Sequence, residues 1–179
     1  MKKILIVLLL IFTLTGCGSS SAKDSVSEYL EKYKNLDSEV LVDMERVINI
    51  ENLNDSQQDK YRYILKKQYQ DMKYEIIEEE YSDNTAYVTV KIEVYDLYKA
   101  QADASTYLTK NPEEFYNEFN TYDNSLYIDY KLDKMKYMNN RVEYTLTFII
   151  NFQNDEYKIE QPTEDMLEKI HGVYNYELG

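Results

Sequence analysis

Four groups of residues in this chain have the types and spacing to do chemistry. The first is Leu14-Thr15-Gly16-Cys17, where an apolar run ends in the only cysteine. A thiol is the strongest nucleophile the chain offers for forming a thioether, and a glycine before it leaves room for a peptidase. The second is His171, the only histidine. It suits a general base or a ligand, or a cation set against the C-terminal end of a helix, and no partner residue is identifiable beside it. The third is the carboxylates Glu78-Glu79-Glu80, Asp55 with Asp59, and Asp123-Asn124-Ser125. A strand would split the Glu run between two faces. A calcium loop starting at Asp123 lacks the glycine at its sixth position and has Lys134 where an acid is needed. These carboxylates read as a solvated surface. The fourth is Asp96 or Tyr95, either a candidate for acid–base work if the fold provides a pocket around it. Three glycines follow Cys17, at 18, 172 and 179, so nucleophile elbows, dinucleotide fingerprints and phosphate loops are absent.

The first group carries the sharpest signal. Lys2 and Lys3 precede an unbroken apolar run from Ile4 to Phe12. That run suits a signal-peptide core and falls short of the about 20 residues a membrane-spanning helix needs. With an aliphatic residue, a small residue and Gly before Cys17, the stretch resembles the lipobox of bacterial lipoproteins. The resemblance implies a signal peptide over residues 1–16, cut between Gly16 and Cys17, with a diacylglycerol on the Cys17 thiol. It also implies palmitate as an acyl chain of the anchor, and a location at the outer face of the cytoplasmic membrane. Two acyl chains hold a protein stably where one holds it marginally. Residues 17–21 then form the lipidated cysteine and a short linker, too brief to carry a domain far from the membrane.

Removing 16 of the 179 residues leaves 163, enough for one domain with a real core. Losing Lys2 and Lys3 leaves 18 basic against 33 acidic residues, a net charge of −15. Such a surface repels nucleic acid and anionic headgroups. With Cys17 lipidated no thiol remains, so disulfides and thiolate metal sites are ruled out.

The remaining chain must supply the elements. Val26, Tyr29, Leu30, Tyr33 and Leu36 share a helical face. A second helix begins at Asp37 or Ser38 and lines up Val40, Leu41, Met44, Val47 and Ile48. A third starts near Ser56 and Asp59 and carries Tyr61, Ile64, Leu65, Gln68 or Tyr69, and Met72. The period then changes to two. Tyr74–Tyr81 reads as a strand blurred at Ile76-Ile77, and Ala86, Val88, Val90, Ile92 and Val94 mark its partner. Leu97–Leu108 reads as helix, and Asn111-Pro112 starts another that continues through Phe115, Phe119, Tyr122 and Leu126, with Asp123-Asn124-Ser125 as an interruption. Residues 126–138 fit either period and favour helix. Val142 to Phe152 alternates as a long central strand, and Tyr157 and Ile159 lie on a short return. Thr163 caps a last helix that stops at Gly172.

This order is carried locally by Arg141-Val142-Glu143-Tyr144-Thr145, Asp155-Glu156-Tyr157-Lys158-Ile159 and Lys169-Ile170-His171-Gly172. From Ala22 to Gly172 it resembles the NTF2-like, or cystatin-like, α+β cone found in small secreted bacterial lipoproteins. The resemblance implies a single α+β domain over residues 22–179, with N-terminal helices packed on the concave face of a curved antiparallel sheet. Leu97 to Met138 would be an inserted helical region. Members of that superfamily bind ligands, act as isomerases or dehydratases, or only scaffold. The expectation is a non-catalytic binding or interaction module without a cofactor, whose partner is an envelope protein or a small ligand. An isomerase-type enzyme and a small-solute-binding lipoprotein are the alternatives. The chain has 20 tyrosines and no tryptophan. Tyr107, Tyr116, Tyr127 and Tyr137 exceed what one buried stripe of the inserted region can hold, which makes them the candidate partner surface.

Overall fold

The computed structural model describes residues 21–154 and 156–177. The lipobox-like stretch, Gly16 and Cys17 included, lies outside the described residues. Three helices come first: α1 (Ala22–Asn35), α2 (Ser38–Ile50) and α3 (Asp55–Gln70). The hairpin β1 (Lys73–Ser82) and β2 (Thr85–Tyr95) follows. Then come α4 (Leu97–Lys110), a single 3-10 turn (Pro112–Phe115) and α5 (Asn124–Lys136). The chain ends with β3 (Arg141–Gln153), β4 (Glu156–Ile159) and α6 (Glu164–His171). The strands make one antiparallel sheet in the order β1-β2-β3-β4, and the helices pack against it. The fold class is α+β, as the switch of period from helical to alternating requires.

The sheet has one dry face. Ala86, Val88, Val90, Ile92 and Val94 of β2 are buried beside Tyr144, Leu146, Phe148 and Ile150 of β3. Their neighbours along each strand face water, where cross-strand pairs replace packing. Lys91 meets Glu143 at 2.8 Å, Lys73 meets Glu93 at 2.9 Å, and the Thr89 and Thr147 hydroxyls lie 3.4 Å apart. The blur at Ile76-Ile77 is a β-bulge. Register passes from Ile76 opposite Val90 to Glu78 opposite Thr89, and Ile77 is left unpaired and exposed. The Glu run is split as strand geometry demands. Glu78 and Glu80 face out, while Glu79 Oε1 accepts a hydrogen bond from the Lys23 amide at the start of α1.

Two expectations are corrected. The third helix starts earlier than Ser56, because Asn54 and Gln57 close a reciprocal capping box. The helix after Pro112 does not continue to Leu126. After one 3-10 turn the chain forms a loop pinched by a bridge between Tyr116 and Tyr122, and α5 restarts behind the Asp123 cap. Leu97, Ala100, Leu132 and Met135 of the inserted region belong to the same core cluster as the other helices and the sheet.

Packing of α5 along α3 is fixed by polar contacts. Gln57 is buried and its amide donates to the Ser125 carbonyl at 3.2 Å. Lys60 holds Asp129 at 3.3 Å and Asp133 at 2.9 Å. Low positions pair with low and high with high, so α3 and α5 run parallel.

Candidate functional site

Helix α5, α4 and the turn after α2 enclose a cleft of about 210 Å³. Its apolar floor is Leu53, Leu132, Met135 and Val173, and its polar heads are Glu51, Tyr61, Gln101 and Lys131. Each comes from a different part of the chain. Glu51 follows the last turn of α2, where Leu53 N turns back to the Glu51 carbonyl at 2.8 Å. Tyr61 stands on α3 and Gln101 on α4, and Lys131 shares α5 with Leu132 and Met135. Val173 arrives through the stop of α6. Gly172 takes φ 74, and the Val173 amide reaches back to the Glu168 carbonyl at 3.0 Å.

The polar heads share one property. Among the described residues, the Glu51 carboxylate, the Gln101 amide and the Lys131 ammonium make no hydrogen bond or ion pair, and the Tyr61 hydroxyl makes no hydrogen bond. Lys131 is flanked on its helix by acids, yet Asp129 and Asp133 are both taken by Lys60. Burial, with the nearby Glu51 charge second, raises the Tyr61 pKa, so its hydroxyl stays protonated and able to donate. Glu51 is exposed, Gln101 and Lys131 are half-buried, and Tyr61 is buried. Donors and acceptors without a protein partner thus border an apolar floor, an arrangement suited to a ligand that offers both.

The sequence candidates are placed elsewhere. His171 is not a charged cap: its ring turns inward and its Nδ1 lies 2.9 Å from the Tyr69 hydroxyl. Burial lowers its pKa to about 4, so it is neutral at pH 7. The Tyr33 and Tyr69 rings meet edge to face at 5.2 Å, and the Tyr29 and Tyr33 hydroxyls are 3.2 Å apart, which makes a tyrosine–histidine network in the core. Asp96 and Tyr95 do not share a site. Asp96 is buried and caps α4, with one carboxylate oxygen taking the Lys99 amide at 2.9 Å and the other the Tyr176 hydroxyl at 3.2 Å. Tyr95 lies on the wet face, donates to Asp71 at 2.8 Å, and has Lys67 and Arg141 over its ring.

The four tyrosines of the inserted region divide. Tyr107 stacks on Tyr130 at 4.9 Å and Tyr127 meets Phe115 edge-on, so both are spent on packing within the region. Tyr116 and Tyr137 are exposed, Tyr116 in the loop that precedes α5 and Tyr137 at its C-terminal cap. The exposed aromatic group is instead the loop tip. Phe119 is 78 % exposed, with Tyr116, Tyr122 and Leu126 near it in the chain. Asn117 holds this loop, its Oδ1 accepting from the Phe119 and Thr121 amides at 3.0 and 3.1 Å. No metal-binding group of three His, Asp or Glu occurs among the described residues, and none of their helices is long and apolar enough to cross a membrane.

No family model, no curated protein and no solved structure matches this chain.

Proposed function

We propose that this chain is a non-catalytic binding module of the cell envelope. It is held at the outer face of the cytoplasmic membrane by lipid on Cys17, and it captures a small ligand in the cleft between α3, α4 and α5. The observation that carries this reading is one cleft in which Glu51, Tyr61, Gln101 and Lys131 meet the apolar side chains of Leu53, Leu132, Met135 and Val173. The tether is supported by the lipobox resemblance alone.

A thermal-shift screen of the full chain in detergent micelles, against a library of small metabolites, tests the binding. A ligand at a hundred times its dissociation constant adds about 2.7 kcal/mol to stability. Hits should lose that gain in a Tyr61→Phe, Gln101→Leu double variant. Hits that stabilise the variant equally bind elsewhere and contradict the reading. The tether is tested separately. Cys17→Ser should release the protein from membranes or leave an uncleaved precursor, and a variant that is cut and still partitions into detergent refutes lipidation.

A second reading has its own observation. The braced loop that holds Phe119 in solvent suits docking of an envelope protein. Crosslinking in intact cells, compared with Phe119→Ser, decides it.

A further inference from the structure

Resting on the binding-module reading, we propose that the ligand is a small zwitterion, an α-amino acid with a short apolar side chain. Its ammonium sits at Glu51, its carboxylate at Lys131, and its side chain on the Leu132 and Met135 floor.

Size narrows the field first. The cleft measures about 210 Å³. Pockets for drug-sized ligands run from about 300 Å³ upward. Nucleotides and oligosaccharides are too large.

Charge narrows it further. Glu51 and Lys131 line one cavity, carry opposite charges, and do not pair with each other. A simple cation would satisfy Glu51 and face Lys131. A simple anion would satisfy Lys131 and face Glu51. A neutral sugar would engage neither charge. A molecule that carries both signs matches both ends.

The surroundings reinforce each end. Glu51 closes the C-terminus of α2, a 13-residue helix whose last carbonyls favour a cation. Lys131 is joined around the cleft by the Gln101 amide and the Tyr61 hydroxyl, both able to donate to a carboxylate. Neither charged group is needed by the fold, since neither holds another residue.

The test is calorimetric titration of the full chain in detergent micelles with L-valine, L-valinamide and 2-hydroxyisovalerate. The amide removes the negative end and the hydroxy acid removes the positive end, with little change of shape. Each should bind at least about tenfold more weakly than L-valine, the scale set by losing one charged hydrogen-bonded contact. In Glu51→Gln the penalty on the hydroxy acid should vanish while that on the amide persists. In Lys131→Met the reverse should hold. Equal binding of all three probes overturns the zwitterion. So does a penalty that neither variant removes, and so does failure of L-valine and the other short apolar α-amino acids to bind. In each of those cases a different metabolite that still requires Tyr61 and Gln101 would leave the binding-module reading standing.

Discussion

The side-chain amide of Gln68 pairs with the backbone of Tyr95 as a neighbouring strand would. Gln68 Oε1 accepts from the Tyr95 amide at 3.0 Å, and Gln68 Nε2 donates to the Tyr95 carbonyl at 3.2 Å. This pair ties α3 to the end of β2, where the sheet's own ladder to β1 has stopped. Gly172 lies directly over it. A Cβ on Gly172 would fall on Gln68 Nε2 and the Tyr95 carbonyl, and the Gly172 carbonyl accepts from the Tyr98 amide at 2.8 Å.

Gly172→Ala should therefore cost more than the about 1–2 kcal/mol of placing an L-residue in the left-handed region, because it also opens the Gln68 pair. Urea denaturation of the variant measures this. A loss below about 1 kcal/mol would show that α6 can shift away from α3 without consequence.

Tyr144 presents the opposite case. Its hydroxyl is buried and has no hydrogen-bond partner. Its ring packs edge-on against Tyr174 at 5.8 Å. Tyr144→Phe keeps the ring and removes the unpaired group, so stability should hold or rise by about 1 kcal/mol. A loss of that size would mean the hydroxyl is paired in solution.

His171 makes stability depend on pH. Its folded pKa lies near 4, below the ordinary value of 6.5, so the unfolded chain binds the extra proton first as pH falls. Stability should be full above pH 6.5 and decline towards pH 4, with a slope approaching about 1.4 kcal/mol per pH unit. Below pH 4 the contribution of this group levels off. Carboxylates add their own slope, so the comparison is with His171→Phe. That variant should lose the decline between pH 6.5 and 5 and keep the steeper acid limb. Identical profiles would place the imidazole in water.

Much of this fold is legible in the sequence because a strand with one wet face must alternate. Ala86 to Val94 and Val142 to Ile150 do so without a break, and both segments form the centre of the sheet. Ile77 breaks the alternation because a bulge inserts one residue there. The loop after Pro112 is not legible, since Phe119 and Tyr122 keep helical spacing while facing solvent. What the spacing lacks is the tertiary support a helix needs there, and Asn117 and Asn120 turn the chain instead. The cleft leaves no trace in the sequence. Glu51, Gln101 and Lys131 are single polar residues on separate elements, and only the packing of α4 and α5 beside α3 brings them together. His171 misleads for a similar reason, as its partner Tyr69 lies 102 positions away.

Phe148 tests the sheet phase. It is 1 % exposed, sits opposite Val88 and meets the Tyr29 ring at 5.6 Å. Phe148→Ala should cost about 3–5 kcal/mol. Phe152, on the same face, is 39 % exposed, and its truncation should cost much less.

Occupancy of the cleft can be read at one atom. Met135 lines it, whereas Met44 and Met72 lie in the core outside its lining. Full-length protein carrying ¹³C-methyl methionine, in detergent micelles, should be titrated with L-valine and then with the small-metabolite library. The Met135 methyl resonance should move saturably while Met44 and Met72 stay in place, and Glu51→Gln should shift the L-valine titration to higher concentration. A bound ligand that leaves Met135 unmoved, or a library that never moves it, would contradict a ligand site in this cleft.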